Sequence, residues 1–200
     1  MPVGRGEELG ALSAEQTEDV LLFLADLSTV MALKTTEAPA YRRVVDQRAR
    51  PVAGVSKGGE LYLQLCADLD SIWPEAIRGP GERSESRDAP HARGRSPLAV
   101  GDGRGVVFVS HVGEVQPSGF LPVVVGNVRH ESLVSIYSQA PLLRALRDTS
   151  CLGGKCGFCE HSATCGGSRS QAYARLGDIF AEDPTCSYIP SNSRQVFPGS

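Results

Sequence analysis

The sequence predicts an α/β fold, and three observations carry that prediction. A helical repeat near the N-terminus runs into a β-branched, apolar stretch that reads as a strand. Past residue 98 a short β-hairpin precedes several short helices. Five of the six cysteines then fall within the last fifty of the 200 residues. With 41% hydrophobic and 22% charged residues, the chain can bury a core and is not wholly disordered. Its 22 glycines and 13 prolines predict many loops. A net charge of −3 gives no basic footprint for nucleic acid. No run reaches the roughly 18 apolar residues of a membrane span. Met1-Pro2-Val3-Gly4-Arg5-Gly6-Glu7 also lacks the apolar stretch of a signal peptide. Neither nucleic acid nor a membrane is an expected partner, and the cytoplasm is the expected compartment.

Ser13 with Gln16 forms a capping box, and Val20, Phe23, Leu24 and Leu27 repeat at helical spacing behind it. Residues 29–34 read as a buried strand, ending in the polar Lys34-Thr35-Thr36-Glu37. Helix, strand and then a polar signature at the strand's C-terminal end is how α/β barrels place binding residues. One such unit cannot close a barrel or cover both faces of its sheet, so residues 1–50 are expected to be the remnant of a larger fold. Residues 51–73 admit two readings. Leu61, Leu65, Leu69, Ile72 and Trp73 suit a helix, whereas Leu61, Leu63 and Leu65 suit a strand, and the helix is preferred. Residues 74–97 are rich in Pro, Gly, Ser and charge, with Ile77 the one large apolar side chain. They read as a disordered linker or surface excursion within an irregular segment, 51–97.

From residue 98 to 200 order is expected to return. Residues 106–110 and 115–116 flank a turn at His111-Val112-Gly113-Glu114 and read as a hairpin. After Gly126-Asn127, short helices are predicted over 132–138 and 141–147, the second opened by Pro141. Ser168 and Gln171 can cap a helix through Arg175, with Gly177 as its stop.

The cysteines carry the chemistry. A disulfide framework serves small secreted domains and is not expected without an export signal. The spacing Cys156-x2-Cys159-x5-Cys165-x20-Cys186 suits either a tetrahedral zinc site or an iron–sulfur cluster. Gly157 and Gly166-Gly167 let the backbone approach such a group and aim N–H groups at sulfur. Lys155, Arg169 and Arg175 offer compensating positive charge. A third set, Cys151-x4-Cys156-x2-Cys159 with Cys186, has plant-type ferredoxin spacing for [2Fe–2S] and strands Cys165.

Cys156-Gly157-Phe158-Cys159-Glu160, Cys165-Gly166-Gly167-Ser168-Arg169, Gly177-Asp178 and Asp183-Pro184-Thr185-Cys186 resemble the C-terminal SPASM-type domain of radical S-adenosylmethionine (SAM) proteins, the haem-biosynthesis and maturase members above all. Phe108-Val109-Ser110, Gly113-Glu114-Val115, Pro117-Ser118-Gly119 and Gly126-Asn127-Val128-Arg129 agree with this. Residues 3–45, with Lys34-Thr35-Thr36-Glu37-Ala38-Pro39, resemble the last units of the radical SAM barrel. The resemblance implies the last units of a partial (β/α) barrel, followed by a small α+β SPASM/twitch-like domain. It also implies one auxiliary [4Fe–4S] cluster on Cys156, Cys159, Cys165 and Cys186, for electron transfer or structural support. Arg169 and Ser118 stand where the family pattern implies further cysteines, so a second cluster is not expected.

The C-x3-C-x2-C motif that opens an iron to SAM is absent from the sequence. This chain alone is therefore not expected to catalyse radical chemistry, and SAM would bind only once a companion chain or missing half supplies that motif. Lys34, Thr35, Thr36 and Glu37 are candidates to contact substrate or SAM in an intact barrel. Arg42 and Arg43 are candidates to bind a carboxylate-rich substrate through guanidinium forks. Cys66 reads as a buried apolar residue, Cys151 as a bystander and His161 as solvent-facing.

Overall fold

The computed structural model describes residues 10–49, 57–74 and 100–191. The linker expected over 74–97 lies almost wholly outside the described residues. Helix α1 (Ala14–Leu27) starts where the sequence placed it. Ser13 Oγ accepts from the Gln16 N–H at 3.1 Å, and Gln16 Oε1 accepts from the Ser13 N–H at 2.9 Å. Helix α2 (Ala40–Ala49) and helix α3 (Glu60–Ile72) pack against α1. Their common core is Leu21, Leu22 and Ala25 with Ala40, Tyr41, Val44 and Tyr62. Two acidic residues on the buried face of α1 tie the three helices. Asp26 accepts from the Tyr62 hydroxyl at 2.8 Å and from Arg48 at 2.9 Å. Asp19 accepts from the Gly59 N–H at 2.6 Å, placing a carboxylate at the N-terminus of α3, whose own N-cap offers no side chain.

Residues 29–34 form no strand. They leave α1 through a turn and run on as irregular chain, with Val30 and Met31 each 41% exposed. A buried strand needs neighbours to pair with, and none of the described strands pairs with this stretch.

The second half is built on short strands. Strands β1 (Gly101–Asp102) and β2 (Gly105–Val106) pair with each other. Strands β3 (Phe108–Val109), β4 (Glu114–Gln116) and β5 (Gly126–Asn127) form an antiparallel sheet with β4 central, Phe108 opposite Gln116 and Val115 opposite Gly126. Helices α4 (Leu133–Gln139) and α5 (Pro141–Arg147) cover it, so that Val115, Leu121, Ile136, Ala140, Leu143 and Leu146 make a second core. Burying each of its large side chains stabilises the fold by about 1.5–3 kcal/mol. A 3-10 turn (Thr149–Cys151), α6 (Gly154–Phe158) and α7 (Arg169–Leu176) complete the described chain. No described helix is long and apolar enough to cross a membrane.

Candidate metal centre

The four predicted thiols come from three turns. Cys156 lies on the one-and-a-half turns of α6, and Cys159 follows at its C-terminal boundary. Only glycine fits at 157, because a Cβ there would collide with the Leu152 carbonyl. The chain then turns, with the Cys165 N–H donating to the His161 carbonyl at 2.7 Å. Gly167 has φ 67°, and a Cβ on it would lie 2.9 Å from Cys156 Sγ and 2.9 Å from Asp183 Cβ. The loop after the third cysteine therefore lies directly against the first, which needs both a left-handed backbone and no side chain. Asp183 locks the fourth segment in place. Its carboxylate accepts from the N–H of Ser168 at 2.7 Å and from the Thr185 N–H and hydroxyl at 2.9 and 2.7 Å.

Three of the four sulfurs accept a backbone hydrogen bond: the N–H of His161 donates to Cys159 Sγ, that of Gly167 to Cys165 Sγ and that of Asp183 to Cys156 Sγ, all at 3.4 Å. The Tyr188 N–H works against burial in lowering the Cys186 thiol. For Cys159 and Cys165 the donor stands two residues after the cysteine. Arg169 adds a cation, Nη2 lying 3.7 Å from Cys156 Sγ, and is held there by the Ile179 and Ala181 carbonyls at 3.0 and 2.6 Å. The Lys155 ammonium donates to the Cys186 carbonyl. These are surroundings suited to thiolates, since N–H dipoles and cations lower the cost of sulfur-borne negative charge.

All six cysteines are free thiols. Burial pushes the Cys165 thiol up to about 12 despite the Gly167 N–H, and burial raises Cys159 and Cys186 as well. Cys159 lies within electrostatic reach of Cys156 and Cys186, and Cys165 within reach of Cys186. Thiols so gathered ionise together only beside added positive charge, which a soft metal supplies. The donor set therefore fits a thiolate-bound metal or cluster. Among the described residues, no three His, Cys, Asp or Glu side chains are grouped so as to hold a metal ion as they stand.

The other cysteines stand apart. Cys66 packs on α3 against the first core, and Cys151 is exposed in the 3-10 turn. His161 meets the Tyr188 ring edge-on at 5.4 Å. Beside it, Glu160 accepts from the Tyr188 hydroxyl at 2.6 Å and from Ser191. Against the effect of burial, these donors draw its carboxyl down to about 2.

The remaining candidates separate into exposed and enclosed residues. Lys34 and Thr36 are exposed, and Thr35 and Arg42 are half-buried. Glu37 turns inward with φ 58° and accepts from the Ser170 hydroxyl at 3.1 Å. It faces Asp102, which accepts from the Ser118 hydroxyl and, at 2.9 Å, from the Ser170 N–H at the start of α7. Burial, then the Asp102 charge, raises the Glu37 carboxyl to about 7. Arg43 is 1% exposed, its guanidinium gripping Glu18 at 2.5 and 2.9 Å and Gln47 at 2.8 Å. Asp102 was not marked as functional by the sequence, because an Asp between two glycines is an ordinary turn signal. Asp183 was legible only as part of the motif around Cys186.

Fold and site together define a small mixed α/β protein whose chemistry-bearing end is a set of buried and half-buried thiols, three of them with N–H donors. No family model matches the chain. It is 33% identical over 95% of its length to the AdoMet-dependent heme synthase of Methanosarcina barkeri, and 34% identical over 95% to that of Nitratidesulfovibrio vulgaris. Over 48% of its length it is 34% identical to the PqqA peptide cyclase of Methylobacterium nodulans, covering 27% of that protein. The chain belongs to the radical SAM/SPASM proteins and corresponds to a C-terminal part of one. It spans about half the length of the heme synthases it matches, 46% and 45%.

Proposed function

We propose that this chain is the auxiliary-cluster portion of a radical SAM/SPASM enzyme, with Cys156, Cys159, Cys165 and Cys186 holding one [4Fe–4S] cluster. In this reading residues 1–50 are the end of the partial barrel and 98–200 the SPASM-like domain. The observation that carries it is the backbone N–H donor on three of the four sulfurs, Cys156, Cys159 and Cys165, at two-residue spacing in the last two. A bound cluster would supply one-electron redox chemistry. The chain's own residues supply four thiolates, the donors that stabilise them, and Lys155 and Arg169 as nearby cations. Four ligands leave no open position, which suits electron transfer or structural support rather than substrate ligation. Cys165 lies near Cys186 while Cys151 is exposed, which favours this set over the ferredoxin-type one.

Cleavage of SAM would fall to a C-x3-C-x2-C segment outside this sequence, in the same polypeptide or in a companion chain. The exposed Lys34 and Thr36, with the half-buried Thr35, are candidates to meet a ligand there. Anaerobic reconstitution with iron and sulfide tests the proposal. A brown product with broad sulfur-to-iron charge-transfer absorbance and matching iron and acid-labile sulfide is expected. A colourless chain holding one zinc and no sulfide would overturn it in favour of a zinc-stabilised interaction module.

A further inference from the structure

Arg43 is the largest fully buried side chain of the described residues, yet it belongs to α2, more than a hundred residues before the first ligand cysteine. Both terminal nitrogens are committed to Glu18 and Gln47, so the guanidinium cannot swing away. Its carbon sits 4.7 Å from the centroid of the Tyr188 ring, two residues past Cys186. Cys165 packs against the same helical core that buries Tyr41 and Val44. The third nitrogen, Nε, is buried and has no hydrogen-bond partner. A buried, unpaired N–H is costly, and this one belongs to a cation within electrostatic reach of the Cys165 and Cys186 sulfurs.

We infer that Arg43 completes the thiol centre from outside its own segment, donating its Nε–H to the sulfur-bound group at Cys165 and Cys186 and fixing a positive charge beside it. The inference rests on the iron–sulfur reading above and deepens it. Arg43 is a positioning and tuning residue, touching the ligands' side of the group rather than any substrate. Its task needs arginine: a fork to hold Glu18 with one N–H left over, which a lysine ammonium cannot reproduce. A fixed cation favours the reduced, more negative state of whatever the thiolates hold.

Redox titration of the reconstituted chain, followed by electron paramagnetic resonance, tests this in wild type, Arg43→Gln, Arg43→Lys and Glu18→Gln. Equal iron and sulfide content and unchanged far-ultraviolet circular dichroism establish that each variant is loaded and folded. Arg43→Gln is expected to shift the one-electron equilibrium at least tenfold toward oxidation, about 59 mV to lower potential. Arg43→Lys, keeping charge without Nε–H, should recover part of that shift. Glu18→Gln removes the opposing charge and should move the potential upward, which keeps the inference testable even where Arg43 variants misfold. A loaded Arg43→Gln with the wild-type potential overturns the inference, as does a downward shift in Glu18→Gln. Failure of the iron–sulfur reading shows separately, in a wild type that takes up no sulfide.

Discussion

Glu37→Gln is the substitution whose effect follows most directly from the structure. The hydrogen bonds that Asp102 accepts, from the Ser118 hydroxyl and the Ser170 N–H, suit a carboxylate, so the proton between the two acids resides on Glu37. In the fold Glu37 keeps that proton up to about pH 7, whereas its ordinary value is 4.5. Below pH 4.5 both folded and unfolded chains hold the proton, and the contribution to stability is constant. Between 4.5 and about 7 the unfolded chain has released it and the fold has not, so rising pH favours unfolding. Above 7 both forms are ionised and the fold carries the full repulsion between Glu37 and Asp102. At 1.36 kcal/mol per pH unit the ceiling on this loss is about 3 kcal/mol. Glu37 is only half-buried, and solvent screening reduces the figure to about 1–2 kcal/mol.

Glutamine has the shape of the protonated acid and can donate its amide hydrogen to Asp102. Glu37→Gln should therefore match wild type at pH 4 and exceed its stability by about 1–2 kcal/mol at pH 8. Urea unfolding of both proteins at half-unit pH steps, followed by circular dichroism, measures the difference. Two stability curves that stay parallel from pH 4 to pH 8 would show that Glu37 is not the group holding the proton.

The remaining predictions concern the thiols and the packing around them. Serine at 156, 159, 165 or 186 should each strip the charge-transfer absorbance, while Cys66→Ser and Cys151→Ser should retain it; loss confined to Cys151→Ser would move the ligand set to the ferredoxin-type spacing. Gly167→Ala must accommodate a methyl at 2.5 Å from Arg169 Nη2 and 2.9 Å from Cys156 Sγ at a positive φ. It should speed cluster loss to an iron chelator severalfold, read as the decay of visible absorbance. Leu143→Ala empties a fully buried position in the second core and should cost about 2–5 kcal/mol in urea unfolding, with the iron content of the folded protein unchanged.

What the sequence disclosed, and what it hid, divides by the distance over which each feature is decided. The capping box at Ser13 and Gln16, the Ser168 cap, the Gly177 stop and the first-turn Pro141 are settled within four residues, and all stand in the structure. The apolar run 29–34 has strand composition, but strand formation requires a partner, and composition cannot supply one. Helix α2 has helical spacing at Tyr41, Val44 and Val45 behind Pro39, but the polar Lys34-Thr35-Thr36-Glu37 just before it has the look of a strand's end and masks that signal. Arg42 and Arg43 read as a basic pair available to ligands. Glu18, 25 residues upstream on α1, decides that Arg43 turns inward. The thiol spacing was legible because three of the four cysteines are close in sequence. The carboxyl pair Glu37 and Asp102, 65 positions apart, left no local trace.

Ser118 and Arg169 stand where the family resemblance implies further cysteines, and both are built into the fold. Neither side chain leaves a gap. Ser118 is 4% exposed and donates to Asp102; Arg169 is 5% exposed and binds three backbone carbonyls as well as Cys156. Polar bonding thus fills these positions, and it also joins the helical segment to the thiol segment. Beside the packing of Cys165 on the first core, two polar ties join them among the described residues: Glu37 to Ser170, at the start of α7, and Arg43 to Tyr188, just beyond Cys186. Loss of the Glu37 proton near neutral pH sets its charge against that of Asp102 beside the first tie, whereas a guanidinium keeps its charge throughout. Alkaline conditions should then loosen the Glu37 side while the Arg43 side stays fastened. The helices would then stay joined to the thiol segment through Arg43 and Tyr188, two residues past Cys186.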